Sequence, residues 1–108
     1  MQYRRLGRSG LMVSELALGT MNFGGPTDES TSLLMIDKAL DYGINFLDCA
    51  NVYAEGRSEQ ILGKALKRNG KRHEVLVTSK AFLPTSEQPN DSGNNRHNLI
   101  NSCIKSLK

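Results

Sequence analysis

Asp48, Tyr53 and Lys80 are the residues of this 108-residue sequence whose types and spacing could run an acid–base reaction. Asp48 ends the apolar run Ile44-Asn45-Phe46-Leu47, Tyr53 lies five residues further on, and Lys80 directly follows the run Val75-Leu76-Val77-Thr78-Ser79. A carboxylate at the tip of a buried strand is costly unless a cation or hydrogen-bond donors meet it, and Lys80 is the natural partner. Neighbouring parallel strands lie about 5 Å apart with their C-terminal ends on one side. The three side chains can therefore converge at one rim, where barrels of alternating strands and helices place their active sites. A free phenol titrates near about 10, and an adjacent ammonium lowers that value by stabilising the phenolate. The trio thus has the makings of a proton donor for an alkoxide developing as a carbonyl is reduced: Tyr53 gives the proton, Lys80 assists it, and Asp48 keeps Lys80 charged and in place. Strand-end residues of these types also occur as helix caps or surface pairs. Their placement on successive strand tips favours the chemical reading.

Three repeated units must position these residues. A short Tyr3–Leu6 run and Leu11–Val13 flank the turn residues Gly7, Arg8, Ser9 and Gly10, which predicts a hairpin. Leu16-Ala17-Leu18-Gly19-Thr20 reads as a first buried strand with a Gly-Pro loop beyond it. Thr27 or Asp28 can cap a helix with Leu33, Ile36, Ala39 and Leu40 on one face and Gly43 as its left-handed stop. Residues 44–48 form the second strand, and Ser58 can cap a helix carrying Ile61, Leu62, Ala65 and Leu66 before Asn69-Gly70. Residues 75–79 form the third strand. After a polar loop from Pro84 to Asn95, a helix from Arg96 to Lys108 is predicted to be amphipathic, with Leu99, Ile100, Cys103, Ile104 and Leu107 at helical spacing.

Strands apolar on both faces, each followed by a helix, indicate a parallel sheet covered by helices, in either a doubly wound fold or an eight-unit barrel. Such a barrel takes about 250 residues. The chain is then either part of something longer, with unpaired hydrophobic edges, or a small three-stranded α/β domain.

The net charge of +3 is small, and acids are interleaved with the Lys and Arg residues, so a nucleic-acid footprint is poorly supported. The densest basic run, Lys64, Lys67, Arg68, Lys71 and Arg72, suits a solvated helix end. No secretory signal or membrane-spanning stretch is expected, and a cytoplasmic location follows as the default. Cys49 and Cys103 have neither metal-ligand nor CxxC spacing and read as reduced thiols.

The stretches RRLGRSGLMVSELALGTMNFG, GINFLDCANVYAEGRSEQILG and VLVTSK, with the final SLK, resemble the aldo/keto reductase superfamily along nearly the whole chain. The likeness is nearest to bacterial and plant members described as aryl-alcohol dehydrogenases or general oxidoreductases. It implies the N-terminal part of a (β/α)8 barrel with an N-terminal β-hairpin, incomplete at 108 residues, so that 1–108 is one hairpin plus about three β/α units. It also implies NADPH as hydride donor, a small-molecule aldehyde or ketone as substrate, and a Tyr, Lys, Asp and His tetrad at the C-terminal mouth. Asp48, Tyr53 and Lys80 stand at three of the four positions, and Asp48 also borders the cofactor. Gly19, Thr20 and Met21 resemble the loop beside the nicotinamide.

The fourth member, a histidine, is expected on a strand beyond this sequence, as are the main cofactor-binding segments. His73 and His97 are not substitutes, because His73 precedes the third strand and His97 opens the third helix. On this reading the 108 residues alone are inactive. A non-catalytic nicotinamide-binding regulatory or interaction subunit is the alternative, and the oligomeric state is open.

Overall fold

A computed structural model describes all residues, Met1–Lys108. The chain opens with strands β1 (Tyr3–Arg5) and β2 (Met12–Ser14), paired antiparallel with Arg4 opposite Val13. Three strand–helix units follow: β3 (Leu18–Gly19) with α1 (Glu29–Asp41), β4 (Phe46–Asp48) with α2 (Arg57–Asn69), and β5 (Leu76–Thr78) with α3 (Arg96–Ser106). The strands form one parallel sheet in the order β3-β4-β5. The predicted hairpin and the three strand–helix units are all present, with each sheet strand shorter than its apolar run.

The helices begin and end for local reasons. Asp28 caps α1 by accepting the Thr31 N–H at 2.7 Å. Its carboxyl is held below the ordinary aspartate value first by that backbone bond and then by the side chains of Thr31 and Ser30, against a small opposing effect of burial. Gly43 then turns the chain with φ 83. At α3 the cap is Asn95, whose Oδ1 accepts the Asn98 N–H at 2.8 Å.

Ser58 departs from expectation. α2 starts two residues earlier than a Ser58 cap would place it, after Gly56 in a left-handed conformation with no side-chain cap. The Ser58 side chain is wholly buried instead, and its hydroxyl lies 2.8 Å from the Thr20 carbonyl and 2.9 Å from Thr20 Oγ1. It joins α2 to the end of β3 rather than satisfying the helix terminus.

The core lies between one face of the sheet and helices α1 and α2. Leu47, at the centre of β4, is fully buried with Ile36 of α1 and Ile61, Leu62, Ala65 and Leu66 of α2, while Leu18 and Val77 pack against them from the flanking strands. Because side chains alternate along a strand, residues next to Leu47 face the other way. Asp48 is therefore directed away from the helices, and its register partners are Gly19 on β3 and Thr78 on β5.

The hairpin docks at the opposite end of the sheet. Asn45, just before β4, accepts the Ser14 N–H at 2.8 Å and donates to the Met12 carbonyl at 3.1 Å, and Tyr3 donates to the Gly43 carbonyl at 2.8 Å. The C-terminal strand ends stay clear.

The third helix packs differently from its hydrophobic spacing. The buried residues of α3 are Asn98 and Ser102, whereas Leu99, Ile100 and Ile104 are 41–49% exposed. Leu99, Cys103 and Leu107 border a cleft of about 530 Å³, with Leu62 and Leu66 of α2 and Val77 of β5 on its other walls. The helix thus meets the body through polar groups.

Candidate active site

Asp48 and Lys80 meet at the C-terminal rim of the sheet. Lys80 Nζ donates to Asp48 Oδ2 at 2.7 Å and to the Cys49 carbonyl at 2.6 Å, and Thr78 Oγ1 donates to Asp48 Oδ1 at 2.9 Å. Each carboxylate oxygen therefore has its own donor. The hydrogen bond from Lys80 is the main reason the Asp48 carboxyl lies below its ordinary value; burial opposes it, and Thr78 and the Lys80 charge add to it. Burial works against the Lys80 charge, but the interactions with Asp48 and Tyr53 outweigh it and raise the ammonium above the ordinary lysine value. The pair is half exposed, with side-chain accessibilities of 49% for Lys80 and 44% for Asp48. It is open to a ligand and to water.

Tyr53 joins them from the loop after β4. Lys80 Nζ lies 5.1 Å from the centre of its ring, within reach of the cation–ring attraction. The turn Tyr53–Gly56 is held in an unusual shape, because Ala54 (φ 49) and Glu55 (φ 56) are both left-handed. Non-glycine residues rarely take that conformation, and it is found where the surrounding structure demands it. Here the reversal lets the phenol lie over the sheet end while the chain turns away into α2.

The three residues singled out for catalysis are thus brought together. The loop residues Gly19, Thr20 and Met21 are divided. Gly19 and Met21 are exposed, and a Cβ added at Gly19 would meet nothing within 4 Å. Thr20 is fully buried, and its backbone N–H and hydroxyl both donate to the Asp48 carbonyl at 3.0 Å. It secures the strand that carries Asp48 instead of facing the rim. His73 lies in a turn before β5, at the far end from Lys80, and His97 on α3 contacts Asn101 at 2.9 Å.

Thr78 and Asn51 are site residues that the sequence argument passed over. The two-residue alternation puts Thr78 on the same face as Lys80, which could have identified it; the donor role depends on register with Asp48, a long-range fact. Asn51 donates its backbone N–H to the Lys80 carbonyl at 3.1 Å, and no local pattern marks it.

The sheet that carries these groups is shared with known proteins. Residues 15–108 match the Aldo/keto reductase family, and the chain belongs to it. It is 47% identical over 104 residues to the uncharacterized oxidoreductase YrpG of Bacillus subtilis strain 168, covering 92% of this chain and 32% of the relative. It is 41% identical over 110 residues to a probable voltage-gated potassium channel subunit beta of Oryza sativa subsp. japonica, covering 100% and 33%. Among solved structures it is similar to the aldo-keto reductase AKR11C1 from Bacillus halodurans in its holo form, with TM-score 0.84 and 36% identity over 99% of this chain and 35% of that one. The chain spans about a third of the length of the curated relatives it matches, and its fold is the N-terminal third of the barrel, hairpin included. No helix is long and apolar enough to cross a membrane.

Proposed function

We propose that the full-length protein reduces aldehydes or ketones to alcohols, with Tyr53 as the proton donor, Lys80 as its activating neighbour and Asp48 as the anchor of Lys80. The observation that carries this reading is the single ammonium of Lys80 shared between Asp48 Oδ2, at 2.7 Å, and the Tyr53 ring, at 5.1 Å. As the carbonyl carbon gains a hydride, its oxygen becomes an alkoxide and takes the phenolic proton. The ammonium favours the phenolate left behind. A proton from water then restores the phenol.

NADPH, when bound, supplies the hydride. The open face at Gly19, where even a Cβ would be unopposed, and the exposed Met21 suit one flank of a flat ring beside Asp48. Thr20 contributes from behind, by fixing the Asp48 carbonyl. The cofactor's phosphates are assigned to barrel segments outside these 108 residues.

A second reading has its own support, because one relative is described as a potassium channel subunit beta. On that reading the site binds nicotinamide and regulates a partner without turnover. Tyr53→Phe in the full-length protein separates the two. General acid catalysis contributes on the order of 10²–10⁴-fold, so reduction is expected to fall by about that much with NADPH binding retained. Unchanged reduction would end the catalytic proposal.

A further inference from the structure

The two buried polar residues of α3 lead back to the site. Asn51 Nδ2 donates to Ser102 Oγ at 3.3 Å, Ser102 Oγ donates to Asn98 Oδ1 at 3.2 Å, and Asn98 Nδ2 donates to the Gly93 carbonyl at 2.8 Å. Gly93 in turn donates its N–H to the Phe82 carbonyl at 2.7 Å. The donors run in one direction, from the site loop through the helix to the loop that follows Lys80. Asn98 and Ser102 are only 3% and 6% exposed. Buried polar groups are costly unless they are hydrogen-bonded, and here each one is.

The backbone gives these bonds a target. β5 is paired to β4, which holds the chain entering Lys80. Two bonds do this past the strand ends: Cys49 N–H to the Thr78 carbonyl at 2.9 Å, and Asn51 N–H to the Lys80 carbonyl at 3.1 Å. Asn51 therefore grips Lys80 with its backbone and α3 with its side chain. Its Oδ1 is buried with no partner, so the Ser102 bond is the one hydrogen bond that orients this amide.

We propose that Ser102 and Asn98, acting through Asn51, are positioning residues for Lys80: they clamp α3 and the 81–95 loop onto the site loop, keeping the ammonium on Asp48 and beside Tyr53. The proposal rests on the reading of Lys80 as a working residue of the reductase. It assigns no contact with substrate to the three polar residues.

The test is Ser102→Ala in the full-length protein, followed by NMR of the Lys80 ammonium and of the Asp48 carboxyl. A folded spectrum is expected, with the Lys80 ammonium protons lost to solvent exchange and the Asp48 titration midpoint moved up toward an ordinary aspartate. Ser102→Thr, which keeps the hydroxyl, is expected to restore both. A variant that only melts earlier, with the Lys80 signal and the Asp48 midpoint as in the parent, would overturn the proposal. If Ser102→Ala does not fold, Asn98→Ala carries the same readouts and the same two outcomes, since it removes the acceptor for Ser102 and the donor to Gly93 but spares the Asn51–Ser102 contact. These measurements need no turnover. Failure of the reductase reading would show separately, as unchanged reduction in Tyr53→Phe.

Discussion

Thr78 Oγ1 donates to one oxygen of Asp48, at 2.9 Å, leaving the other oxygen to Lys80. The hydroxyl therefore orients the carboxylate that holds the ammonium. Thr78→Val keeps the side-chain shape and deletes the donor. Because the carboxylate is half exposed, water takes over part of the bond, and the loss of stability is expected to fall below the usual range for bonds to charged groups, at about 1 kcal/mol. The Asp48 titration midpoint should rise. Urea melts and carboxyl NMR check the two effects, and a midpoint that stays put would mean that Thr78 is a bystander.

Lys80→Met tests the pair through pH. Asp48 titrates lower in the folded chain than its ordinary 3.8, so its contribution is present above about that pH and is lost as pH falls through the folded value. Lys80 titrates higher than its ordinary 10.5, so its contribution is full below that pH and is lost as pH rises through the folded value. Between those limits the half-exposed pair is expected to contribute less than about 1 kcal/mol. The difference between parent and variant in urea melts should shrink toward zero on the acid side. A difference that persists at pH 2 would trace to lost packing of the lysine stem.

Ser58→Ala removes a fully buried hydroxyl that reaches Thr20 and lies 3.4 Å from Cys49 Sγ. A buried group stripped of its partner costs about 1–3 kcal/mol, and a loss in that range is expected in chemical denaturation. Had Ser58 been an exposed cap, water would have replaced it and the loss would be smaller.

Gly24 and Gly70 share a left-handed backbone but not their surroundings. A Cβ at Gly24 would lie 2.9 Å from Arg57 Cβ and 3.2 Å from Ile61 Cδ1, whereas at Gly70 it would meet nothing within 4 Å. Gly70→Ala is expected to cost only the conformational penalty, about 1 kcal/mol. Gly24→Ala adds overpacking against α2, for a total of about 2–4 kcal/mol. Equal thermal shifts in the two variants would contradict the contact at Gly24.

Local chemistry made much of this architecture readable. Asp28 before α1, Gly43 after it and the Ile61, Leu62, Ala65, Leu66 stripe on α2 follow from capping and helical period, and each appears where that physics puts it. The meeting of Asp48 and Lys80 followed from their strand tips. What escaped was set by contacts made across the chain. Ser58 reads as a cap because serine before an apolar stripe commonly is one; only the approach of Thr20, 38 residues away, draws it inward. The apolar positions of α3 were legible, but which side of the helix meets the body depends on Asn51 and Gly93, and neither lies within the helix.

The distances along the chain between Asp48 and its partners bear on how readily they meet. Asp48 reaches Thr78 and Lys80 across 30 and 32 residues, and one helix, α2, fills the interval. Closing a loop of that size costs little more than closing a shorter one, so sequence separation adds little to the entropic cost of bringing acid, phenol and ammonium to one rim.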